Sequence, residues 1–479
     1  MNNNNCRLVF SRIRGMLVAV EETATATGKS GETRAGRTSI KETRSPLRSL
    51  VALPMAVAPL LAFAQIVPGG THAPSVISTA NGLPQVNINR PSGSGVSMNT
   101  YNQFDVSNRG AILNNSPTIT NTQLAGYVNG NPNFGPNDSA RVIVNQVNSN
   151  SPSQLRGYLE VAGRSAEVIV ANPNRLLLDG AGFINTSRAV LTTGTPNFAP
   201  DGSVSGFNVT QGNITVQGVG FNASNVDQVD LLARAVQANA AIYAKNLNVI
   251  TGANGIDHDT LNATPIASNG PAPGVSIDVS NLGGMFANRI WLVGMENGVG
   301  VSNRGVLAAQ AGDLILTTQG QLVLAGQTNA SGNIAANARD GIGNSGTTYA
   351  QQNVSVNTSG ALINSGTLAA KQITTISAGS VASTGTLGAG VNSDGSVGNA
   401  GDLNVATTGH LSATGENVAG GNATLSGSGV NLAGSETAAN GNLTLNASAG
   451  DLNLAGATTS AGGTVNAQRQ AHWSTTTAR

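Results

Sequence analysis

The chain is poor in cysteine, in charge and in aromatic side chains. Of its 479 residues, 10% are charged, 3% are aromatic and only Cys6 is a cysteine. A disordered chain usually carries more charge and fewer hydrophobic residues than the 39% found here. An ordinary globular core would contain more aromatic residues, and a single thiol excludes a disulfide within the chain. Backbone hydrogen bonds and the repetitive packing of small aliphatic residues must therefore stabilise the fold.

Glycine, asparagine, serine, threonine and small aliphatic residues are abundant instead. The chain contains 61 glycines, and both glycine and asparagine tolerate the positive φ angles of tight turns. β-Branched residues fit the pleated surface of a sheet. This composition predicts an all-β fold in which many short strands are joined by tight turns.

The basic residues are concentrated at the N-terminus. Residues 1–64 contain nine Lys or Arg and four Asp or Glu, whereas the remainder contains 15 basic and 19 acidic residues. The remainder therefore has a net charge of −4 and shows no basic stripe that would bind phosphate groups. We expect no nucleic-acid partner.

An apolar segment, residues 50–64, follows three basic residues and ends in the small-residue pattern of a signal-peptide cleavage site. The segment is too short for a membrane-spanning helix, and Pro54 and Pro59 would break a helix. We expect cleavage between Ala64 and Gln65, which would also remove the only cysteine. The alternatives are a buried core helix for this segment and, for the sequence before it, an amphipathic anchor that stays attached.

The second half of the chain is repetitive, with a period of about twenty residues. Gly-Asp or Gly-Asn, followed by alternating aliphatic residues, recurs at Gly401, Gly421 and Gly441, at intervals of twenty. This period is too short for paired helices or propeller blades and fits one coil of a parallel β-helix. Weaker copies begin at Gly312, Gly450 and Gly463, and a second pattern begins at Asn303, Asn364 and Ser383.

The period also predicts the size of the molecule. The 415 residues after the expected cleavage site, at about twenty residues and 4.8 Å per coil, predict a rod on the order of 100 Å long. The alternative is a flexible linker, which the regular alternation of apolar and polar residues disfavours, as in Leu443, Thr444 and Leu445. Residues 224–244 fit either a helix or strands, and we predict strands because the neighbouring coils need partners.

Candidate catalytic and metal-binding residues are sparse after residue 64. Asp257, His258 and Asp259 form the densest ionisable group, but successive side chains of an extended segment point in opposite directions and cannot easily share a metal. We expect a solvated loop there, and ordinary solvated positions for Asp227 and Asp230. We therefore predict no catalytic residue, no metal site and no cofactor.

Two Asn-Pro-Asn sequences interrupt the strand-rich first half. Proline fixes φ at the first turn position, and asparagine bonds back to the backbone or enters the left-handed region. On these grounds alone, both sequences are β-turns at corners between strands. With the residue that follows each, they comprise Asn131, Pro132, Asn133 and Phe134, and Asn172, Pro173, Asn174 and Arg175.

The sequence around these turns resembles a known family. Residues 121–192 resemble the secretion domain of two-partner secretion exoproteins, a family that includes filamentous haemagglutinin and the contact-dependent growth inhibition exoproteins. Residues 6–21 resemble the extended signal-peptide region of very large secreted adhesins and autotransporters. The segments that carry the first resemblance are residues 122–133, 140–147, 160–163, 171–174 and 182–186, with extensions at 101–106 and 270–288.

The resemblance implies a right-handed single-stranded parallel β-helix, or solenoid, with an N-terminal cap and small extra-helical β elements. It implies an extended signal peptide at 1–64, a two-partner secretion (haemagglutination activity) domain at 65–310 and a truncated β-helical repeat shaft at 311–479. In the family the two motifs read Asn-Pro-Asn-Leu and Asn-Pro-Asn-Gly. Arg175 replaces a glycine that accepts positive φ, so the second turn is expected to differ in type.

The resemblance also implies an export route and partners. The Sec machinery would deliver the chain to the periplasm, where an outer-membrane β-barrel transporter with POTRA domains would recognise it. The chain would then be secreted or held at the bacterial cell surface, facing a host or neighbouring cell, as a non-enzymatic filamentous adhesin. Two alternatives stay open: the delivery shaft of a contact-dependent growth inhibition toxin without its C-terminal toxin, and a β-helical polysaccharide-degrading enzyme.

Overall fold

The computed structural model describes residues 65–398 and 400–469, together with the backbone of two strands nearer the N-terminus. The chain divides into two compact units, Met1–Leu61 and Ala62–Arg479. In the first unit, β1 (Cys6–Ser11) pairs antiparallel with β2 (Met16–Glu21). The regular elements of the described residues are all strands, and no helix there is long and apolar enough to cross a membrane.

The larger unit, residues 62–479, begins with less regular coils, several of which are longer in sequence than those that follow. Its first strands are β3 (Ile66–Pro68), β4 (Ser75–Ser78), β5 (Pro84–Asn87), β6 (Val96–Phe104), β7 (Ala111–Asn115), β8 (Thr120–Thr122), β9 (Gly126–Val128), β10 (Val142–Val147), β11 (Ser153–Leu155), β12 (Tyr158–Gly163), β13 (Ala166–Ala171), β14 (Arg175–Leu178), β15 (Ala181–Ile184), β16 (Thr186–Thr192), β17 (Thr195–Phe198), β18 (Val204–Val209), β19 (Asn213–Val216), β20 (Phe221–Ala223), β21 (Gln228–Ala233), β22 (Ala235–Ala238), β23 (Ala241–Ala244), β24 (Asn246–Thr251), β25 (Asn254–Asp257), β26 (Ala263–Pro265), β27 (Val275–Val279), β28 (Gly284–Ala287), β29 (Arg289–Gly294), β30 (Gly300–Asn303) and β31 (Val306–Ala309).

The shaft, residues 311–469, continues the same stack with more regular coils. Its strands are β32 (Leu314–Thr318), β33 (Leu322–Leu324), β34 (Gln327–Ala330), β35 (Ile334–Ala338), β36 (Ile342–Asn344), β37 (Thr347–Ala350), β38 (Val354–Asn364), β39 (Thr367–Ala370), β40 (Thr374–Ser383), β41 (Thr386–Ala389), β42 (Leu403–Thr407), β43 (Leu411–Ala413), β44 (Glu416–Ala419), β45 (Ala423–Gly427), β46 (Val430–Asn431), β47 (Glu436–Ala439), β48 (Leu443–Ala447), β49 (Leu452–Asn453), β50 (Thr458–Ala461) and β51 (Val465–Arg469).

Successive coils of the larger unit stack into three sheets, which identifies a parallel β-helix. The first sheet runs from β6 through β10, β13 and β16 to β51, the second from β11 through β14 and β19 to β49, and the third from β4 through β7 and β12 to β50. β38 and β40 are long enough to run from the first sheet into the second. The predicted fold class is confirmed, and the right-handed winding follows the general rule for parallel connections and stays a prediction.

The core is a column of aliphatic side chains. In β32, β35 and β48 buried residues alternate with partly exposed ones, because every second side chain of a strand points inward. Leu314, Ile334 and Val354 occupy the same register in successive coils, so apolar side chains stack along the axis. Fully buried aromatic side chains in this core belong to the N-terminal coils: Tyr101, Phe104, Phe183 and Phe221.

A ladder of Asp and Asn side chains builds the corner before the first sheet. Asp313 Oδ1 accepts hydrogen bonds from the backbone and side-chain amides of Asn333, at 2.7 and 3.0 Å. Asn333 in turn accepts from the side-chain amide of Asn353 at 2.9 Å. A Cβ on Gly332 would lie 2.4 Å from Asp313 Oδ1. The Gly-Asp and Gly-Asn repeats therefore reflect one requirement, which is room for the ladder side chain of the preceding coil.

The other copies of this repeat fall into two groups. Asp402, Asn422 and Asn442 form the same ladder at intervals of twenty residues. Gly450 precedes β49 in the second sheet, so this weaker copy belongs to a different corner of the coil. Its irregular spacing in the sequence follows from that difference.

The period of twenty holds in most of the shaft but not before it. β7 and β12 are neighbours in the third sheet, yet they begin at Ala111 and Tyr158, 47 residues apart. The intervening residues include the β8–β9 hairpin and the first Asn-Pro-Asn turn. Sixteen strands of the third sheet at about 4.8 Å spacing extend over roughly 70 Å. This length is of the same order as the expected 100 Å, and it is shorter because these insertions use residues without adding coils.

Small antiparallel elements lie outside the coils, as predicted. β17, β18, β25 and β26 form a four-stranded sheet. Its Phe207 and Ile256 pack against Ile169 and Val190 of the first sheet in a separate hydrophobic cluster. At the N-terminal end, β3 pairs antiparallel with β6, and β4 pairs antiparallel with β5. These strands form the N-terminal cap and cover the edge that the first parallel coil would otherwise leave open.

Residues 224–244 form strands, as predicted. They contain β21, β22 and β23, each of which pairs with the coils before and after it. The sheets also pass without a break across residue 310, since β29 pairs with β32 and β31 with β34. The boundary between a secretion domain at 65–310 and a shaft at 311–479 therefore stays a prediction about function.

Candidate functional site

The first Asn-Pro-Asn turn lies between the β8–β9 hairpin and β10. Asn131 is buried, and its Nδ2 donates to the carbonyl oxygens of Ile88 and Asn114 at 2.8 and 2.9 Å. Its Oδ1 accepts from the backbone N–H of Asn133 at 3.0 Å, and its carbonyl oxygen accepts from that of Phe134 at 3.1 Å. The motif therefore combines an Asx turn with a β-turn.

The remaining residues of this motif divide between the surface and the core. Pro132 and Asn133 are exposed, whereas Phe134 is partly buried against the main hydrophobic core. Asn133 Nδ2 also donates to the carbonyl oxygen of Ile88 at 3.1 Å. Pro132 is thus the residue of the motif that presents its side chain to solvent without a bond to the fold.

The β8–β9 hairpin adds exposed apolar side chains next to this turn in the chain. Ile119, immediately before β8, and Tyr127, in β9, are 67% and 78% exposed. The loop of the hairpin is held by Glu160, whose carboxylate accepts from the backbone N–H groups of Gln123 and Leu124 at 2.6 and 2.8 Å. The hairpin is therefore a fixed element that carries an apolar surface.

The second Asn-Pro-Asn turn forms the corner between β13 and β14. Asn172 is fully buried, and its Nδ2 donates to a backbone carbonyl and to Ser153 Oγ, both at 2.9 Å. Its Oδ1 accepts from the backbone N–H of Asn174 at 3.0 Å, as in the first turn. A Cβ on Gly212 would lie 2.5 Å from the carbonyl oxygen of Pro173. The following coil therefore covers this turn closely.

Arg175 occupies its position without backbone strain. It begins β14 opposite Asn213, and its Nε donates to Asn213 Oδ1 at 3.1 Å. Among the described residues, the non-glycine residues with positive φ are Asn185 and Leu261. The expectation of a different turn type rested on a positive φ that the structure does not have at Arg175, and the Asx hydrogen bond is the same in both turns.

The predicted cleavage site lies at the edge of the described region. Ala64 is outside the described residues. Gln65 is exposed, and its carbonyl oxygen accepts from the backbone N–H of Asp105 at 3.1 Å. Cleavage between Ala64 and Gln65 stays a prediction.

A buried ionic cluster joins the first sheet to the four-stranded sheet. The carboxylate of Asp230 accepts from Arg188 Nε at 2.6 Å and from Asn248 Nδ2 at 2.7 Å. Arg188 Nη2 donates to the carbonyl oxygen of His258 at 2.8 Å, and His258 Nε2 lies 2.8 Å from Glu167 Oε1. Each charged group in this cluster therefore has a partner of opposite charge or a hydrogen bond, as burial requires.

Asp230 differs from the solvated position that we expected. Asp227 is exposed and forms a 2.7 Å surface ion pair with Lys245, whereas Asp230 is completely buried. The reason is tertiary, because Arg188 lies 42 residues earlier and reaches Asp230 only when β16 and β21 pair. No local pattern in the sequence distinguishes the two aspartates.

The loop after β25 also differs in part from its expected solvated state. Asp257 and Asp259 are exposed, which agrees with alternating side-chain directions, but His258 is buried. Hydrogen bonds from the backbone and side chain of Thr260 hold the pKa of Asp257 below its ordinary value. The described residues contain no group of three or more His, Cys, Asp or Glu that could hold a metal ion. The polar side chains of this loop close the loop and fasten it to Glu167.

The stability of the larger unit is expected to fall as the pH rises above neutrality. Burial opposes protonation of His258. The hydrogen bond to Glu167 and its negative charge, with a second bond that His258 donates to Asp259, nevertheless raise the pKa of His258 above its ordinary value despite the charge of Arg188. This contribution is fully present below the unfolded-state pKa of about 6.5 and is lost as the pH rises through the folded-state pKa. Chemical unfolding at about pH 6 and pH 8.5 measures the loss.

The variant His258→Gln is the control for this prediction. Glutamine keeps a donor near Glu167 but does not titrate, so the variant is expected to show a smaller change in stability between the two pH values. An equal change in the variant and the natural chain would show that His258 is not responsible.

Comparisons with known proteins agree with this geometry. Residues 64–324 match the family model described as the TPS secretion domain, and residues 1–52 match the model of the extended signal peptide of the type V secretion system. The chain is 60% identical over 475 residues to tRNA nuclease CdiA-2 of Burkholderia pseudomallei, which covers 98% of this chain and 15% of that protein. It is 43% identical over 465 residues to toxin CdiA of Yersinia pestis, covering 94% and 14%.

A solved structure extends the comparison to the fold. The crystal structure of the filamentous hemagglutinin secretion domain is 32% identical, with a TM-score of 0.52, and the match covers 60% of this chain and 95% of that one. The chain spans only about one seventh of the length of the two CdiA proteins. Because the secretion-domain model matches more than half of the 479 residues, the chain belongs to the two-partner secretion exoproteins, which pass through the periplasm to the cell surface or the medium.

Proposed function

We propose that residues 65–310 are the part of this chain that an outer-membrane β-barrel transporter with POTRA domains recognises in the periplasm. The observation that carries the proposal is the match of residues 64–324 to the secretion domain, within which both Asn-Pro-Asn turns lie. The Sec machinery would deliver the chain to the periplasm, and residues 1–64 would be removed there. Residues 311–479 would form the shaft of a non-enzymatic adhesin that faces a host or neighbouring cell.

The burial of Asn131 and Asn172 favours recognition before folding is complete. The side chains of Asn131 and Asn172 donate to groups inside the fold, so a partner cannot bind them once the coils have closed. The Asx hydrogen bond joins residues only two apart, and such a turn forms locally in an unfolded chain. We infer that the transporter binds the turns on a chain whose coils have not yet closed.

Folding outside the cell would then favour export. Each coil pairs only with the coil before it and the coil after it, so coils can form one after another as the chain emerges. A folded coil is too wide to return through the path of an extended chain. Coil-by-coil folding therefore opposes backward movement without a separate source of energy.

Replacing Asn131 by alanine is expected to reduce export by roughly ten-fold. The change removes the Asx hydrogen bond that holds the turn before the coils close, and a loss of about 1.4 kcal/mol in binding corresponds to ten-fold. The folded chain also loses the donor to the carbonyl oxygens of Ile88 and Asn114, an effect that the control below measures separately. Cells that express the transporter would be fractionated, and immunoblots would measure the chain in the periplasm and the medium. Deletion of residues 121–192 is expected to abolish export.

Two matched variants separate recognition from stability. Asn364 is equally buried and its Nδ2 donates to Ser383 Oγ at 3.0 Å, but it lies outside the matched secretion domain. Asn364→Ala should destabilise the fold and leave export unchanged. Pro136→Ala, which alters an exposed proline in the same loop as Pro132, should also leave export unchanged. Undiminished export after deletion of residues 121–192, or equal export in cells without the transporter, would refute the proposal.

A second candidate function is the delivery shaft of a growth-inhibition toxin. The similarity to tRNA nuclease CdiA-2 and toxin CdiA extends over 98% and 94% of this chain. The two functions differ in their effect on a neighbouring cell. Displayed on a bacterial surface, an adhesin would bind neighbouring or host cells without stopping their growth, whereas growth arrest of neighbouring cells would support delivery.

A polysaccharide-degrading activity is the third reading and has a direct test. Asp257 would be its best acidic residue, yet its carboxylate closes the turn with Thr260. Turnover of a pectin-like polysaccharide that disappears in the variant Asp257→Ala would support an enzyme. We expect no turnover.

A further inference from the structure

The regular period of the shaft is interrupted between β40 and β42. The paired residues Thr374 and Leu403 are 29 residues apart, nine more than the twenty between Val354 and Thr374. Some of the extra residues form a tight hairpin, residues 391–397, closed by an antiparallel bridge between its two ends. We call this segment the inserted hairpin.

The inserted hairpin folds onto the outer face of the third sheet. Val391 is 6% exposed, and a Cβ on Gly388 would lie 3.0 Å from Val391 Cγ2 and 3.1 Å from Ala369 Cβ. Tyr349 Oη donates to the carbonyl oxygen of Val391 at 3.0 Å. Ala369 lies on the outer face of its strand and is nevertheless 1% exposed. The hairpin is therefore packed against the sheet, with a glycine that makes room for it.

The hairpin forms one wall of a groove with a volume of about 920 Å³. The floor of the groove comes from the outer faces of β31, β34, β37, β39, β41 and β44, which at about 4.8 Å spacing extend over roughly 24 Å. Tyr349 supplies the aromatic ring of this floor. Amide and hydroxyl side chains surround it: Gln310, Gln327, Asn329, Thr347, Gln351 and Thr367.

The charge of the groove is negative. Asp394, on the inserted hairpin, and Glu416, on β44, line it, and the described lining residues include no lysine or arginine. Hydrogen bonds from the side chain and backbone of Ser396 hold the pKa of Asp394 below its ordinary value, so its carboxylate is charged at neutral pH. A sulfated or phosphorylated chain would be repelled from such a surface.

The backbone of the floor is not available to a ligand. β37 pairs with β34 on one side and with β39 on the other, so an extended peptide cannot add to the sheet here. A ligand must be held by side chains, and glutamine, asparagine and threonine each offer donors and acceptors. Ligands rich in hydroxyl groups match that set, and the apolar face of a sugar ring matches the partly exposed ring of Tyr349.

We propose that this groove binds a neutral oligosaccharide chain, with a sugar ring against Tyr349 and the surrounding amides and hydroxyls bonded to its hydroxyl groups. The inserted hairpin closes one side, and the length of the floor suits several linked sugars rather than one. The site lies mainly in the shaft and does not include the Asn-Pro-Asn turns. Failure of the oligosaccharide proposal would leave the export proposal unaffected. Failure of the export proposal would likewise leave the oligosaccharide proposal unaffected.

The test is calorimetric titration of the purified chain with cellohexaose, maltohexaose and chitohexaose, and with a heparin hexasaccharide as the polyanion. We expect at least one neutral hexasaccharide to bind with a Kd below about 1 mM and the heparin fragment to bind more weakly than that sugar. The variant Tyr349→Ala is expected to weaken binding about ten-fold, whereas Tyr349→Phe, which keeps the ring, should stay within about three-fold. Deletion of residues 390–399 leaves three residues between β41 and β42, the same number as between β39 and β40. This deletion removes the inserted hairpin and should abolish binding.

Tyr243→Ala is the matched control. Tyr243 belongs to the same outward column of the third sheet and is 44% exposed, but it stacks on Phe286 outside the groove. Its replacement should leave binding unchanged. The proposal fails if no neutral hexasaccharide binds at about 10 mM, if heparin binds more tightly than every neutral sugar, if Tyr243→Ala weakens binding as much as Tyr349→Ala, or if the sugars are cleaved. The first two of these results need no variant and therefore do not depend on how any variant folds.

Discussion

The variant Asp230→Ala is expected to lower the free energy of unfolding by about 3–5 kcal/mol. Asp230 is completely buried and accepts from Arg188 Nε and Asn248 Nδ2. Alanine would leave the guanidinium of Arg188 buried without its nearest carboxylate. Since Arg188 also donates to the backbone of the loop that holds His258, the contact between the four-stranded sheet and the first sheet should weaken as well. Guanidinium unfolding followed by circular dichroism measures the loss.

Asp227→Ala is the control, because Asp227 lies three residues earlier in the chain and its ion pair with Lys245 is exposed. It should change stability by no more than about 0.5 kcal/mol. Asp230→Asn keeps the size and some hydrogen bonds but removes the charge, so its cost should lie between those of the two alanine variants. Equal losses for Asp227→Ala and Asp230→Ala would show that burial of the ionic cluster does not matter.

The variant Gly366→Ala is expected to destabilise the shaft by about 2–3 kcal/mol. A Cβ at this position would lie 2.1 Å from the carbonyl oxygen of Gly346 in the preceding coil. Backbone atoms cannot move aside as a flexible side chain does, so the corner between the second and third sheets must distort. The distortion should pass to Asn364, whose Nδ2 bonds to the neighbouring coil. Protease resistance of the shaft and the unfolding midpoint would both fall.

Gly343→Ala is the matched control in the preceding coil. A Cβ on Gly343 would meet nothing within 4 Å, and its φ is not positive. Its replacement should stay within about 0.5 kcal/mol of the natural chain. Stability that is unchanged in Gly366→Ala, or reduced equally in both variants, would contradict the close approach between coils.

Asp230 and Gly366 belong to different sources of stability in one molecule. The N-terminal coils carry extra elements, and charged side chains such as Arg188 and Asp230 fasten those elements to the helix. The shaft has few such groups and depends on exact spacing between coils, with glycine where backbones approach closely. A rod exposed outside the cell gains from the second arrangement, because the repeated backbone hydrogen bonds do not depend on a single core.

Much of the fold could be predicted from the sequence. The interval of twenty between Gly401, Gly421 and Gly441 corresponds to one coil, because the ladder side chain that follows each glycine repeats at the same corner. The alternation in β48 corresponds to side chains that point in and out of the core. Both signals are local, so they survive in a single sequence. The length of the rod could be predicted only to its order of magnitude, because inserted elements use residues without adding coils.

The candidate site was predictable only in part. Asn131 and Asn172 lie in turns, as their sequence indicated, and a side-chain oxygen that bonds two residues ahead is a local property. Their burial was not predictable, because the carbonyl oxygens that accept from them belong to distant residues. The groove beside Tyr349 left one signal, a break in the period between Thr374 and Leu403, but its shape depends on how the inserted hairpin packs.

The sequence by itself determined the class of fold, the coil repeat and the positions of the turns, because each depends on residues close together in the chain. The tertiary structure decided which polar residues are buried and what they bind. Asp227 and Asp230 show the difference: they are the same residue type, three positions apart, and one is exposed while the other is buried against Arg188. Only the stacking of coils brings residues 42 positions apart into contact, and no local sequence pattern predicts that contact.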